Sequence, residues 1–296
     1  MGKLTAMRLA QEGLGNILLV DIIKGLAQGQ ALDLEDAQPF LKYSYHIEGT
    51  EDIQKIKDSD IVIITAGLAR KPGMSREDLL HKNALILGDI SRHIKKLSPN
   101  AVVIVVTNPV DIMTYYVLKV TALRAARVLG MGISLDTARF TNLISKELNI
   151  PLTDISACVI GSHGEGMLPL SRLTTIKGIN LEEFLPEQKI QDLVKKTINR
   201  GTEIVALLGS GSAYFAPSAA INEIVRAMAK DEKRILGISA YSNGEYGLRD
   251  VCIGVPCRLG KSGIEQIIEL DLNTQEKEAF LKSARDLKEQ LKNLPI

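Results

Sequence analysis

Residues 1–21, MGKLTAMRLAQEGLGNILLVD, decide the fold class. LTAMRLA has helical spacing, and NILLVD is a continuously apolar run that closes on an acid, the pattern of a buried strand. A helix feeding such a strand is the second half of a βαβ nucleotide-binding unit. Working outward, the alternation continues. Residues 25–36 read as a helix, SDIVIITAG (59–67) as a strand, 75–97 as a long helix and AVVIVVTNP (101–109) as a strand stopped by Asn-Pro. VDIMTYYVLKV (110–120) is helical, ARVLGMG (126–132) strand-like and LDTARFTNLISKEL (135–148) helical.

Continuously apolar strands, each followed by a helix, predict a doubly wound parallel α/β sheet covered on both faces. Ligands of such sheets sit beyond the carboxyl ends of the strands. Here those ends carry Asp21, Thr65-Ala66-Gly67 and Thr107-Asn108-Pro109. Past residue 150 the texture becomes α+β. ISACVI (155–160) and LSRLTTI (170–176) read as strands, and 187–208 and 217–229 as helices. Residues 234–260 read as antiparallel strands turning at Asn243-Gly244, GIEQIIEL (263–270) as a strand, and 274–293 as a closing helix with one exposed face. The expected division is a first domain over 1–150 and a second over 151–296.

Composition excludes several classes of function. Lys+Arg number 36 against 35 Asp+Glu, so no basic excess points to nucleic acid or an anionic membrane surface. No apolar run is long enough to span a bilayer, and polar residues run through the first twenty, unlike a signal peptide. Three cysteines without CxxC spacing fit neither a zinc site nor a disulfide framework, and point to a reducing cytoplasm.

Several residues could carry chemistry. An acid at Asp21 can hold both ribose hydroxyls of an adenosine and repel a 2′-phosphate, or it can simply cap a turn. ARKPGMSR (69–76) sets Arg70, Lys71 and Arg76 at a strand's carboxyl end, as an anion-binding lid or an ordinary basic loop. Ser75 with Asp78 fits a capping box that starts the next helix. In GSHGEG (161–166), His163 stands between small residues, an accessible imidazole suited to proton transfer. His46, His81 and His93 have no such setting, and His163 with Glu165 lacks the further ligands a metal needs. Asp136 and Arg139 in LDTAR share a helix face. They form either an intrahelical salt bridge, or an acid that orients an imidazole beside a guanidinium that grips a carboxylate. Asn108 sits at a strand end.

The order strand–Asp, TAG–loop with two Arg, TNPVD, LDTAR, GSHGEG resembles the lactate/malate dehydrogenase family over almost the whole chain. ITAGLARKPGMSR, TNPVDIMTYYV, GMGISLDTARF and GSHGEGMLPLSR carry the likeness. The resemblance implies an NAD-dependent malate dehydrogenase of the tricarboxylic acid cycle, moving hydride reversibly between (S)-malate and oxaloacetate. It implies His163 as proton donor and acceptor and Asp136 as its partner. Arg139 is implied on the substrate's C1 carboxylate, Arg76 on the reacting carbonyl, and Arg70 as the determinant of substrate choice. Asn108 is implied at substrate and nicotinamide, and Gly2, Asp21, Thr65, Ala66, Gly67, Asn83 and Thr107 around NAD. A small dicarboxylate substrate, a homodimer or homotetramer and a cytoplasmic location follow as expectations.

The sequence departs from the family pattern in three places. Glu165 replaces the usual Asp, and TALRAARV (121–128) lacks a Gly/Pro turn. Gly2 matches the third glycine of GxGxxG, so the first strand and first two glycines of that unit are expected upstream, two strand edges are expected to be exposed, and NAD binding by these residues alone is expected to be weak. Alternatives are a dehydrogenase for another 2-hydroxy acid such as lactate, or a non-catalytic chain.

Overall fold

A computed structural model of the chain describes residues 1–41, 45–68, 75–209 and 211–295, without the side chain of Arg76. Residues 69–74 of the expected lid, Arg70 and Lys71 among them, lie outside the described residues. The first half contains α1 (Gly2–Gln11), β1 (Ile17–Val20), α2 (Leu26–Leu41), β2 (Ile47–Thr50), β3 (Ile61–Ile64), α3 (Arg76–Leu97), β4 (Val102–Val105), α4 (Val110–Thr121), β5 (Val128–Gly130) and α5 (Ile133–Leu148). The second half contains β6 (Ile155–Ser156), β7 (Val159–Gly161), β8 (Met167–Pro169), β9 (Thr175–Ile176), β10 (Ile179–Asn180), α6 (Glu187–Leu208) and α7 (Phe215–Ala229). It ends with β11 (Ile235–Asn243), β12 (Arg249–Gly260), β13 (Gly263–Ile267) and α8 (Thr274–Leu291).

The expected parallel sheet is present in two pieces. β1 pairs β2 in parallel, and β3, β4 and β5 form a second parallel run. Among the described residues β1 and β3 each keep one unpaired edge. The consequence shows in burial. All four residues of β4 (VVIV) are buried, whereas β1 (ILLV), equally apolar in sequence, is only half-buried along its length. Beyond β5 the sheet continues into the second half through Ser239 of β11 opposite Gly130. The full order is β3-β4-β5-β11-β12-β7-β8, with β13 on β12. One mixed sheet therefore crosses from one half of the chain to the other. It sets the loop between β7 and β8 on the same framework as the ends of β3 and β4.

Local chemistry accounts for the helix starts. Ser75 Oγ accepts from the Asp78 N–H at 2.9 Å, and the Asp78 carboxylate accepts from the Ser75 N–H at 3.2 Å, the reciprocal box that the sequence predicts. Asn273 and Glu276 cap α8 the same way. α8 turns Phe280, Ala284 and Leu287 inward and leaves its charged face in water.

The structure departs from the sequence reading in four places. β2 (IEGT) was not anticipated, because four residues with a glycine carry almost no period. Its Gly49 is obligatory all the same, since a Cβ there would stand 2.1 Å from the Ala27 carbonyl oxygen. The helix expected over 25–36 runs on to Leu41, with Pro39 in its last turn. ISACVI is not one strand. It is β6 and β7 in different sheets, broken where the Cys158 N–H donates to Thr174 Oγ1 and the Cys158 carbonyl accepts from Leu170 N–H. LSRLTTI divides too, into a 3-10 turn over Ser171–Leu173 and the two-residue strand β9.

A large core fills both faces of the long sheet, and a second one lies under α5 and α6 around Phe140, Ile144, Leu181 and Leu193. α5 packs on α6, β11 and β7. Phe140 is fully buried there, one residue after Arg139. Phe140→Ala should therefore lower unfolding free energy by about 3–5 kcal/mol. Urea titration followed by circular dichroism would measure the loss, and a change below about 1 kcal/mol would show that this second core does not seat α5.

Candidate active site

The carboxyl ends of β3 and β4 lie side by side because the two strands pair in register, Ile64 opposite Val105. Thr107 Oγ donates to the Ala66 carbonyl at 2.5 Å. Asn83, fully buried on α3, accepts from the Leu68 N–H at 2.8 Å and donates to the Asn108 carbonyl at 2.8 Å. Its amide thus ties the two loops together and shapes the cradle from behind. Gly67 has φ +153°, and a Cβ there would come within 2.4 Å of Thr107 Cγ2, so only glycine lets the loops approach this closely. Ala66, Gly67 and Asn108 face solvent at the rim.

Gly2 opens α1 beside Thr65; a Cβ on it would sit 3.3 Å from the Thr65 hydroxyl. The first turn of α1 has neither a side-chain cap nor an acidic residue; the Leu4 N–H donates to the Met1 carbonyl at 3.0 Å, which leaves the Gly2 and Lys3 amides for an anion. At the end of β1, Asp21 Oδ1 accepts from the Ile23 N–H at 2.9 Å. That bond realises the turn-capping reading, and the second carboxylate oxygen has no partner among the described residues. An uncapped helix start, an open carboxylate one strand away and a glycine-lined rim fit a dinucleotide with its pyrophosphate at α1 and a ribose at Asp21.

On the other side of the strand ends, the β7–β8 loop carries His163. The Ser162 N–H donates to Ser283 Oγ, whose hydroxyl donates to the Gly166 carbonyl, so α8 pins both ends of the loop. Gly132, at the start of α5, lies against the His163 side chain, where a Cβ would be 2.9 Å from His163 Cβ. His163 Nδ1 lies 2.7 Å from Asp136 Oδ2, and Arg139 Nη1 donates to Asp136 Oδ1 at 3.0 Å. The intrahelical salt bridge and the acid–imidazole contact of LDTAR are therefore present at once. One carboxylate orients the imidazole and steadies the guanidinium, and the remaining Arg139 donors have no partner among the described residues. The α6 backbone passes that guanidinium at Gly201. Asp136 is fully buried, whereas the His163 side chain is 17% exposed, enough for one ring edge to meet a small molecule.

The other histidines lie outside this cluster, beside Glu48, Glu77 and Asp89. Among the described residues no three His, Cys, Asp or Glu side chains could hold a metal ion. Sequence reasoning placed TNPVD in the constellation but gave Asp111 no role. The structure finds Asp111 buried, accepting from the His163 main-chain N–H at 2.8 Å and from Ser239 Oγ at 2.5 Å. An acid in the first turn of a helix reads in sequence as a partner for the helix dipole, and its long-range contacts leave no local signal.

Burial by itself would lower the His163 pKa, but the Asp136 charge and hydrogen bond, helped by Asp111, hold it above the ordinary value. With Asp136 at Nδ1, the free nitrogen is Nε2, which can give or take a proton near neutral pH. A reaction that needs the protonated ring should stay fast at low pH and slow as pH rises through this raised pKa; the reverse reaction should gain over the same range. Asp136→Asn removes the charge that raises the pKa. Its pH–rate midpoint should fall by roughly one unit or more. Steady-state rates across pH would test this, and an unmoved midpoint would separate Asp136 from the titrating group.

Comparison with known proteins gives the family. The family model described as lactate/malate dehydrogenase, NAD binding domain, matches residues 1–130, and that of the alpha/beta C-terminal domain matches residues 133–294. The chain is 47% identical to a malate dehydrogenase of Methanosarcina acetivorans over 296 residues, covering 100% of this chain and 96% of that protein. Among solved structures it is similar to the apo malate dehydrogenase of Picrophilus torridus, with TM-score 0.95, 40% identity, and 98% and 93% of the two chains covered. It is also similar to the lactate dehydrogenase of Eimeria maxima with NADH and oxamate, with TM-score 0.94, 36% identity, and 98% and 89% covered. With both family models matched along its length and a relative 47% identical over all of it, this chain belongs to the lactate/malate dehydrogenase family.

Proposed function

We propose that the protein is an NAD-dependent malate dehydrogenase that interconverts (S)-malate and oxaloacetate. The observation that carries this reading is His163, held by Asp136 at Nδ1, on the same sheet framework as the loops at Ala66–Leu68 and Thr107–Asn108. When bound, the nicotinamide supplies the hydride for reduction and accepts it in oxidation. His163 Nε2 delivers the matching proton to the carbonyl oxygen of oxaloacetate, and takes it from the hydroxyl of malate. Asp136 keeps the ring in the tautomer and orientation this requires. Arg139 grips the C1 carboxylate with its free donors, a fork suited to a planar anion. Arg76, at the first position of α3, stabilises charge developing on the carbonyl oxygen, and Arg70 takes the second carboxylate.

Residues 1–150 serve the cofactor and 151–296 the substrate and the proton, with α5 lending Asp136 and Arg139 from the first group to the second. Asn108, at the rim, reaches substrate and nicotinamide; Thr65, Ala66, Gly67 and Thr107 line the cofactor's path, and Asn83 holds that path in shape. A homodimer or homotetramer is supported by the exposed Leu207, Leu208 and Phe215 on α6 and α7, apolar area that a second copy would cover. Among the described residues no helix is long and apolar enough to cross a membrane. We place the enzyme in the cytoplasm, in the tricarboxylic acid cycle.

Absorbance assays of NADH oxidation with oxaloacetate and with pyruvate test the reading directly. Oxaloacetate should be the better substrate, and Arg70→Gln should shift the ratio of kcat/KM values toward pyruvate by about a hundredfold or more, because a buried second carboxylate would lose its partner. An unchanged ratio would remove Arg70 from substrate choice. Asp21→Ser should narrow the preference for NAD over NADP, since no carboxylate would then face the 2′-phosphate. Equal use of both cofactors by the unaltered enzyme would refute that role for Asp21.

A further inference from the structure

Asp111 is a buried charge that the proton-transfer scheme leaves unused. It occupies the second position of α4 and is 3% exposed. Its Oδ2 accepts the His163 main-chain N–H at 2.8 Å and its Oδ1 accepts the Ser239 hydroxyl at 2.5 Å. The carboxylate therefore joins three elements: α4, the β7–β8 loop and β11. Both partners donate, so the ionised form fits, and the first turn of α4 favours it further. Charged and titratable groups face His163 from two helices: Asp136 and Arg139 on α5, and Asp111 on α4. On β12 the thiol of Cys252 borders Asp111, and its burial raises its pKa well above the ordinary value, so it stays neutral. Ser239 on β11 is uncharged.

We propose that Asp111 is a positioning residue for the proton carrier. It clamps the His163 main chain between α4 and β11, and it sets a second buried negative charge beside the imidazole that steadies its protonated form. The inference rests on the reading of His163 as the proton donor and acceptor.

The clamp and the charge can be separated. Asparagine has nearly the shape of aspartate. Its Oδ1 can accept from the His163 N–H, and its Nδ2 can donate to Ser239 once that hydroxyl turns round. Asp111→Asn therefore keeps the clamp and removes the charge, whereas Asp111→Ala removes both. Ser239→Ala acts in between. Burial pushes the Asp111 carboxyl up to about 6 against the pull of the Ser239 hydrogen bond, so losing that bond should raise it further and weaken the anion at neutral pH.

The experiment is the pH profile of oxaloacetate reduction from about pH 5 to about pH 10, spanning histidine titration. NADH binding by fluorescence and the folded fraction by circular dichroism are measured alongside. In Asp111→Asn the midpoint at which the rate falls should move to lower pH by roughly half a unit to one unit, with NADH affinity unchanged. Asp111→Ala should show the same shift, and its kcat per folded molecule should drop about tenfold or more as the ring loses its fixed position. Ser239→Ala should shift the midpoint in the same direction, by less. A midpoint in Asp111→Asn that coincides with the unaltered enzyme would overturn the electrostatic part, and a normal kcat in folded Asp111→Ala would overturn the clamp. Should Asp111→Ala fail to fold, the Asp111→Asn and Ser239→Ala profiles decide. His163→Asn in the same assay keeps the two readings apart. If it retains turnover, the assignment of the proton carrier fails. If it is inactive and Asp111→Asn leaves the midpoint in place, only the role of Asp111 fails.

Discussion

The carboxylate of Asp136 is the interaction on which the site depends. It is fully buried, with one oxygen toward His163 and the other toward Arg139. A buried carboxylate without partners would be severely penalised, so the three side chains are stable only as a set. The penalty also works in the site's favour. The imidazole cannot turn away without stranding the anion, and the guanidinium cannot swing far without losing the same partner. The orientation of both side chains is then a consequence of desolvation, with little left to side-chain entropy.

That set reaches the cofactor cradle only because the sheet is continuous. β5 ends the parallel run, and β11, from more than a hundred residues later, pairs with it at Ser239 and Gly130. The same Ser239 donates to Asp111. At the crossing from parallel to antiparallel pairing, therefore, one residue serves both the ladder and the polar network behind His163. On the cofactor side Asn83 plays a comparable part, using a single amide to set the distance between two strand-end loops. The two-stranded piece formed by β1 and β2 stands apart. Its apolar residues are half-buried, and its contact with the rest runs largely through α1 on α7, where Arg8 donates to Ser218 and Asn222 donates to Glu12. Asp21 is carried on this piece, so it is tied to the rest of the protein by fewer buried apolar contacts than His163 is.

Much was legible in the amino-acid order. Apolar runs such as AVVIVV and IVII mark fully or partly covered parallel strands. Ser75 with Asp78 marks a helix start, and Asn243-Gly244 marks the long hairpin of β11 and β12. Each of these is a local rule, set by side-chain periodicity or by hydrogen bonds spanning three or four residues. His163 between small residues and the spacing of Asp136 from Arg139 were legible for the same reason. Where the signal was short or non-local, the reading failed. IEGT is a strand because β1 offers it an edge, and ISACVI divides because Thr174 and Leu170 capture the backbone at Cys158.

The sequence by itself determined the alternation of strands and helices, the residue types placed at the strand ends, and the one histidine set between small residues. Only the tertiary structure decided which of two roles the LDTAR acid plays, and it shows both. It alone decided that Asn83 braces two loops and that Asp111, an ordinary-looking acid in the first turn of a helix, faces the His163 main chain 52 positions away. The physical reason is the range of the forces involved. Periodicity and capping act within a few residues and are written along the chain. Desolvation of a buried charge is set by whatever the fold brings around it, and those neighbours are distant in sequence.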